Sequence, residues 1–250
     1  MNPKQVSRSL NIIQSEFASI LDRRSATRVL QDARDQAQNS YSLYQEYSRR
    51  TDQVHSIINT GWGFDITRQK PLRFEQMEIS KYPFRIDLTC EIRWKDEEPA
   101  KRNIAVRLWA LSRQMFFREE WDAERIKAES LNERVMIRFH FDLANPNQSA
   151  PLSHLQIGGV ADGTEYCWLH PKIEKPRFPH MPMDLVLACE LIGATFYEER
   201  GFREIRRSGL WRGEIRKSQN TLLRNYFEGC LDAIANDRSV LTDFLWQRPA

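Results

Sequence analysis

The chain lacks several short motifs that mark common enzyme and binding classes. It contains no glycine-rich phosphate loop, no G-x-S-x-G nucleophile motif, no H-E-x-x-H zinc motif and no C-x-x-C pair. Each of these motifs carries a specific mechanism, so the sequence gives no support to a P-loop enzyme, an α/β-hydrolase, a zincin, a zinc knuckle or a thioredoxin-like protein. The four cysteines lie far apart within apolar patterns, which is typical of reduced thiols in a cytoplasmic protein: Cys90, Cys167, Cys189 and Cys230.

Long apolar runs are also absent. Residues 1–13 contain no apolar stretch of the signal-peptide type. The most apolar candidate helix, residues 183–196, is interrupted by Asp184 and Glu190 and is too short to span a bilayer. We therefore expect a cytoplasmic protein that does not contact a membrane.

The remaining composition is that of an ordinary globular protein, with 41% hydrophobic and 28% charged residues in a chain of 250. Residues 4–60 contain neither glycine nor proline, and apolar residues recur there at helical spacings of three and four: Val6, Leu10, Ile13, Phe17 and Ile20. This pattern predicts an N-terminal helical element over residues 1–60, either an αα-hairpin or one long bent helix. Residues 61–250 are expected to form an α+β core domain.

From residue 73 onward the hydrophobic period changes to two. Residues 84–94, 103–111, 134–143 and 154–157 alternate apolar and polar side chains, and residues 166–169 can add a further strand. Helices are expected over residues 118–130, 183–199 and 240–246, and from residue 209, where Trp211, Phe227 and Ile234 are among the residues expected to be buried. The sequence thus predicts an α+β fold, with an antiparallel sheet of about five strands flanked by the N-terminal helical hairpin and C-terminal helices.

The segment 134–159 carries the main candidate site. Arg138, His140 and Asp142 alternate with apolar residues on its first strand, and His154 and Gln156 do so on its second. Antiparallel pairing of the two strands would place these five polar side chains on one face. Histidines exchange protons near neutral pH, a carboxylate can orient them, and an arginine can stabilise a phosphate, so the set suits metal-independent cleavage of RNA.

Three other interpretations of this segment remain open. His140, Asp142 and His154 can together bind a divalent metal, the same residues can recognise a ligand without catalysis, or they can form the solvated face of an antiparallel sheet. Gly158 and Gly159 would let a ligand approach the backbone closely, although a β-bulge explains them equally well.

A basic segment is the second candidate feature. Eight Lys and Arg residues between positions 200 and 225 outnumber two acidic residues, which gives the segment a charge of +6 in a chain whose net charge is +3. Such a block is typical of phosphate-backbone binding, and it is also common on a solvated helix face. The predicted nucleic-acid contacts are Arg203, Arg206, Arg207, Arg212, Arg216 and Lys217, together with Arg177, which with His180 could close over the histidine face.

Four short motifs follow one another between residues 130 and 200: Arg138-x-His140-x-Asp142, Pro151-Leu-Ser-His154-Leu-Gln156-Ile-Gly-Gly159, Pro176-Arg-Phe-Pro179 and Pro182-Met-Asp184. This succession resembles a group of uncharacterised bacterial proteins that are often found near mobile elements, toxin–antitoxin pairs and anti-phage defence genes. The resemblance implies a context in bacterial conflict, and no settled activity comes with it.

Two functional hypotheses result. In the first, the protein is a component of a defence or toxin-type system that acts on nucleic acid, such as a ribonuclease in which His140 and His154 are the acid and base, Asp142 orients them and Arg138 holds the phosphate. In the second, it is a non-catalytic adaptor, antitoxin or sensor subunit that docks a partner protein, or a second copy of itself, through residues 4–60. Neither hypothesis requires a cofactor, although the first is compatible with a divalent metal. The residues leave open whether the protein is an enzyme.

Overall fold

The computed structural model describes residues 1–49, 56–79, 81–95, 98–111, 134–143, 153–157 and 177–240. Within these ranges the predicted α+β architecture is confirmed, with N-terminal helices, an antiparallel sheet and C-terminal helices. Several predictions lie outside the described residues: the helix over 118–130, the strand over 166–169, the glycine pair at 158–159, Cys167 and all but the first residue of the helix over 240–246.

The N-terminal helical element is an antiparallel hairpin. Its elements are α1 (Pro3–Glu16), a 3-10 turn (Phe17–Ser19), α2 (Arg23–Ser48) and the short α3 (Ser56–Thr60). Helix α1 begins with a capping box, in which the side chains of Asn2 and Gln5 each accept a hydrogen bond from the other residue's backbone amide. Asp22 caps α2 in the same way through the amide of Arg24. The apolar sides of α1 and α2 are buried, so these helices are part of the protein's own core.

The sheet contains eight strands in the described part of the chain: β1 (Trp62–Ile66), β2 (Leu72–Arg73), β3 (Met77–Ile79), β4 (Tyr82–Lys95), β5 (Glu98–Ala110), β6 (Arg134–Leu143), β7 (Ser153–Ile157) and β8 (Arg177–Pro179). Six of them follow one another in the order β1-β4-β5-β6-β7-β8, and β2 and β3 also pair with β4. All of these pairings are antiparallel. The long strands β4, β5 and β6 are the segments in which the sequence alternates.

The two faces of the sheet have opposite chemistry. One face carries the apolar residues of β4, β5 and β6, which join α1, α2 and the first C-terminal helix in a single hydrophobic core. We call the opposite face the polar face. Strand pairing assigns to it Asp65, Arg73, Arg85, Asp87, Thr89, Glu91, Arg93, Lys101, Asn103, Ala105, Arg107, Trp109, Arg138, His140, Asp142, His154 and Gln156.

The C-terminal helices complete the layer on the apolar face. They are α4 (Leu185–Phe196), a 3-10 turn (Glu198–Arg200), α5 (Phe202–Arg207), α6 (Gly209–Ser218), a π-helical turn (Gln219–Leu223) and α7 (Arg224–Ala235). Trp211 is buried as predicted, but Phe227 and Ile234 are exposed, so that part of the prediction was wrong. The π-helical turn between Trp211 and Phe227 interrupts the 100° periodicity of a regular α-helix, so one apolar series does not extend from the first residue to the second. No helix in the described ranges has the length and apolar character needed to cross a bilayer.

Candidate functional site on the polar face

The strands β6 and β7 bring the five predicted site residues together. In the antiparallel register Asp142 lies directly opposite His154, and His140 lies directly opposite Gln156. Residues that face each other in this way have Cβ atoms about 4.5–5.5 Å apart, which is within reach of side-chain contact. Arg138 precedes His140 by two residues and therefore shares its face. The expected antiparallel pairing is thus present, and the catalytic roles remain a prediction.

His140 is held neutral by its surroundings. Its Nε2 lies 2.7 Å from Oδ1 of Asn103, so the neutral ring carries its proton on Nε2 and donates it to that oxygen. Burial, followed by the nearby charges of Arg138, His154 and Arg107, lowers the pKa of His140 to about 3, while a hydrogen bond with Gln156 opposes the shift. A general acid or base works best with a pKa near the working pH. At neutral pH His140 therefore suits hydrogen bonding and positioning better than proton donation.

The centre of the polar face is not solvated. Only 2% of His154 is exposed, and the exposures of Arg107 and Arg138 are 5% and 6%. His140, Asp142 and Gln156 are half-buried. Ionisable side chains are rarely buried to this extent unless other groups stabilise them, so the interpretation of this surface as a plain solvated sheet face was wrong for its central residues.

Strand β5 adds an arginine that the sequence analysis did not select. Arg107 lies directly opposite Arg138 in β6 and opposite Asp87 in β4. Its Nη1 donates to Oγ1 of Thr89 at 2.8 Å. The alternation of residues 103–111 predicted the face on which Arg107 lies. Its position beside Arg138 depends on the pairing of β5 with β6, which the local sequence pattern does not specify. Both arginines interact with further groups of the protein, so their charges belong to a wider network.

A buried carboxylate anchors the arginine-rich end of this face. Oδ1 of Asp87 lies 3.1 Å from Nε of Arg85 and 3.8 Å from Nε of Arg73, and the Arg85 guanidinium lies 5.2 Å from the ring centroid of Trp109. Burial raises the pKa of Asp87, although the charges of Arg85, Arg73 and Arg107 favour its ionised form. Together with Arg138, three arginines and the single carboxylate of Asp87 give this end of the polar face an excess of positive charge.

The other end of the polar face is more acidic and contains an open groove. Nη2 of Arg93 lies 2.7 Å from Oδ2 of Asp65, and Nζ of Lys101 lies 2.8 Å from Oε2 of Glu91. The groove has a volume of about 410 Å³, and its lining includes Asp65, Glu91, Thr89 and Asn103. Asn103 lines the groove and also binds His140, so the groove adjoins the histidine site.

The basic segment lies on the other side of the sheet. Helices α5 and α6 belong to the layer that covers the apolar face, since α6 packs against α1 and α4. Four of its eight cations also have acidic neighbours: Arg203 pairs with Glu198 and Glu199, Arg206 with Glu190 and Glu198, Arg207 with Glu204, and Lys217 with Glu214. Counting Glu190, Glu198 and Glu199 lowers the local charge from +6 to +3. Arg212 and Arg216 are exposed.

The structure therefore does not bring the basic segment to the histidine site. Arg177 belongs to β8 and lies opposite Gln156 in the sheet, but its side chain is outside the described residues. His180 accompanies the apolar face, because its ring lies 5.0 Å from the ring of Phe141 and its Nδ1 lies 2.7 Å from the backbone oxygen of Met181. The predicted closure of His180 over the polar face is therefore not observed.

No metal centre is indicated among the described residues, where no group of three or more His, Cys, Asp and Glu side chains converges to hold an ion. His140, Asp142 and His154 are all described, so the proposed metal-binding arrangement gains no support from their geometry. Comparisons of the chain with protein-family models, with curated proteins and with solved structures each found no match. The polar face is therefore the feature from which a function can be inferred.

Proposed function

We propose that this protein acts on RNA and that the polar face holds a phosphate group near Arg138 and His154. The observation that carries the proposal is the antiparallel register that sets Asp142 opposite His154 and Arg107 opposite Arg138. A carboxylate beside an imidazole can hold the ring in the orientation that a general base needs and can stabilise the imidazolium that forms once the base has taken up a proton. Guanidinium groups match the geometry of phosphate oxygens and carry a permanent positive charge.

In this scheme the histidines have different roles. His154 removes the proton from a ribose 2′-hydroxyl, the 2′-oxygen forms a bond to phosphorus, and the bond from phosphorus to the 5′-oxygen breaks, with water supplying the leaving oxygen's proton. Arg138 stabilises the charge that develops on the phosphate. His140, neutral and bound to Asn103, positions its neighbours. A role in bacterial defence or in a toxin-type system fits such an activity.

The alternative is a non-catalytic subunit that docks a partner protein through its helices. The pKa of His140 and the burial of His154 favour this alternative, because neither residue is poised and open as catalytic histidines usually are. The apolar sides of α1 and α2 are used in the core. Docking through these helices would therefore use the open polar groove between them, whose lining includes Ser7, Asn11 and Ser42.

The two functions are separated by an activity assay on the full-length chain. Purified protein is incubated with RNA and with DNA, in EDTA and with Mg²⁺ or Mn²⁺, beside His154→Gln and a matched His180→Gln control. The ribonuclease proposal expects cleavage of RNA in EDTA that His154→Gln abolishes and His180→Gln retains. Equal cleavage by native protein and His154→Gln would contradict the assignment of this site.

For the docking alternative, deletion of residues 1–60 is uninformative because α1 and α2 form part of the core. A Ser7→Arg, Ser42→Arg double variant instead fills the groove while leaving the core unchanged. Loss of a co-purifying partner in this variant, but not in Thr27→Arg on an exposed position of α2, supports docking. Retention of the partner by the groove variant contradicts it.

A further inference from the structure

The open groove between α1 and α2 is long and has two regular walls. The lining residues recur at spacings of three and four on each helix, so each wall is a single helix face: Lys4, Ser7, Arg8, Asn11 and Ser15 on α1, and Gln38, Tyr41, Ser42 and Gln45 on α2. The groove has a volume of about 1080 Å³, and a smaller pocket of about 370 Å³ continues it from Asn2 toward Arg49. At 1.5 Å per residue, the wall from Asn2 to Ser15 is about 20 Å long.

The lining of this groove is cationic. No Asp or Glu is among the described residues that line either part of it, whereas Lys4, Arg8 and Arg49 bring three positive charges. The open groove on the polar face, by comparison, has Asp65 and Glu91 in its lining. The whole chain has 34 acidic and 37 basic residues, so the groove between α1 and α2 departs from the average of the chain and favours an anionic ligand.

The three cations are accessible to such a ligand. Lys4 and Arg49 are exposed and make no ion pair within the part of the chain that the structure describes. The side chain of Arg8 is 70% exposed, and its Nε lies 3.8 Å from Oε1 of Glu214. That buried carboxylate is shared with Lys217, whose Nζ lies 3.7 Å from its other oxygen. An ion pair this long at an exposed position contributes little, so Arg8 can bind a phosphate.

Neutral hydrogen-bonding side chains form most of the remaining lining. Asn, Gln, Ser and Tyr side chains contact phosphate oxygens and sugars in nucleic-acid complexes, and such residues flank the cations on both helices: Asn2, Ser7, Asn11, Ser15, Gln38, Tyr41, Ser42 and Gln45. The axes of two packed helices are about 8–10 Å apart, which leaves room for a single strand and not for a duplex.

A protein partner fits this lining less well. The core of a protein interface is apolar and rich in aromatic residues, and such interfaces are poor in serine and lysine. Among the described lining residues Leu210, at 54% exposure, is the one large apolar side chain that is exposed. The lining thus lacks the apolar core that a protein interface needs, and it has the chemistry that a phosphodiester strand requires.

We propose that the groove between α1 and α2 binds single-stranded nucleic acid through its phosphates, which Lys4, Arg8 and Arg49 neutralise. The groove belongs to the helical layer, on the other side of the sheet from the polar face, so this binding is separate from the proposed cleavage and does not depend on it. For a single strand, the logarithm of the binding constant falls against that of the salt concentration by about 0.7 per phosphate neutralised. Three contacts give a slope of about −2, which is roughly twentyfold weaker binding at about 200 mM than at about 50 mM salt.

Fluorescence anisotropy of the full-length protein with a labelled oligothymidylate of about 16 nucleotides tests the proposal. This strand has no 2′-hydroxyl, so the proposed ribonuclease chemistry cannot cleave it. Lys4→Gln combined with Arg8→Gln should weaken binding on the order of tenfold or more at about 50 mM salt and reduce the slope to about −0.7. Arg24→Gln combined with Arg28→Gln removes two exposed cations one turn apart on α2, outside the groove. This matched control should bind like native protein.

Further measurements identify the ligand class and the site. Duplex DNA of the same length and polyglutamate should both bind more weakly than the single strand, and circular dichroism verifies that each variant remains folded. Native protein that binds no oligothymidylate, an unchanged salt slope in the groove variant, or equal losses in the two double variants would overturn the proposal. Tighter binding of duplex or polyglutamate would also overturn it, as would a loss seen only in Arg212→Gln with Arg216→Gln, which would place the strand on the basic segment.

Discussion

Replacing His140 by glutamine should remove a dependence of stability on pH that the native protein has in mildly acidic solution. Burial, followed by the charges of Arg138, His154 and Arg107, lowers the pKa of His140 from 6.5 to about 3 in the folded protein. The unfolded chain has no such surroundings, so there the ring takes up a proton below about pH 6.5. Between these two pKa values the unfolded state binds more protons, and the free energy of unfolding therefore falls as the pH falls.

The size of the effect follows from the difference between the two pKa values. Each pH unit below the unfolded pKa costs about 1.4 kcal/mol while the folded ring stays neutral. From pH 6.5 down to about pH 4.5 the limit is about 2.7 kcal/mol, and we expect about 2 kcal/mol because the ring is only half-buried. Glutamine retains a donor that can reach Oδ1 of Asn103 and does not ionise, so the variant lacks this loss.

Urea unfolding of both proteins, followed by tryptophan fluorescence at about pH 7.5 and about pH 4.5, measures the effect. Carboxylates and the other histidines titrate in both proteins, so only the difference between native protein and His140→Gln is interpreted. At about pH 7.5 native protein should be more stable than His140→Gln, and this difference should disappear or reverse at about pH 4.5. An equal stability gap at both pH values would refute the argument that His140 is neutral in the fold.

Three further predictions test packing elsewhere in the fold. Gly63→Ala should severely destabilise the protein, because a Cβ there would lie 1.9 Å from the backbone oxygen of Ile92, and thermal unfolding should show a large loss of stability. Gly213→Ala is the matched control, because a Cβ in the middle of α6 meets nothing within 4 Å. This second variant should gain about 0.5–1 kcal/mol in the free energy of unfolding. Glu190→Ala should cost about 1–3 kcal/mol in urea unfolding, since it leaves the buried indole N–H of Trp211 without the carboxylate oxygen 2.6 Å away. Glu190→Gln keeps an acceptor and should cost less, and equal losses in the two Glu190 variants would contradict this explanation.

The long strands and the N-terminal helices could be predicted because their side chains repeat with the period of the local structure. Alternation over residues 134–143 placed Arg138, His140 and Asp142 on one face before any contact was known. The strands β1, β2 and β3 were not predicted. In β2 and β3 two or three residues leave no measurable period, whereas β1 is as long as β7 and was overlooked. They become strands through pairing with β4.

The exposure of Phe227 and Ile234 in α7 could not be derived from the hydrophobic period alone. Both residues were assigned to the buried side because residues 209–235 were treated as one apolar series with Trp211. The π-helical turn Gln219–Leu223 lies between Trp211 and α7 and has more residues per turn than an α-helix, so the period of 3.6 residues does not extend across it. Packing therefore decided which side of α7 is buried.

The sequence by itself determined the α+β class, the helical character of the N-terminal element, and the alternation that gives the five polar residues of β6 and β7 a common face. These features depend on periodicity, which each segment carries within itself. Tertiary structure decided which residues of other strands join that face. Arg107 and Asn103 come from β5, more than thirty residues earlier in the chain. Arg107 helps to lower the pKa of His140, and Asn103 accepts a hydrogen bond from its ring. A pKa depends on burial and on charges from distant segments, and neither is encoded in the local pattern.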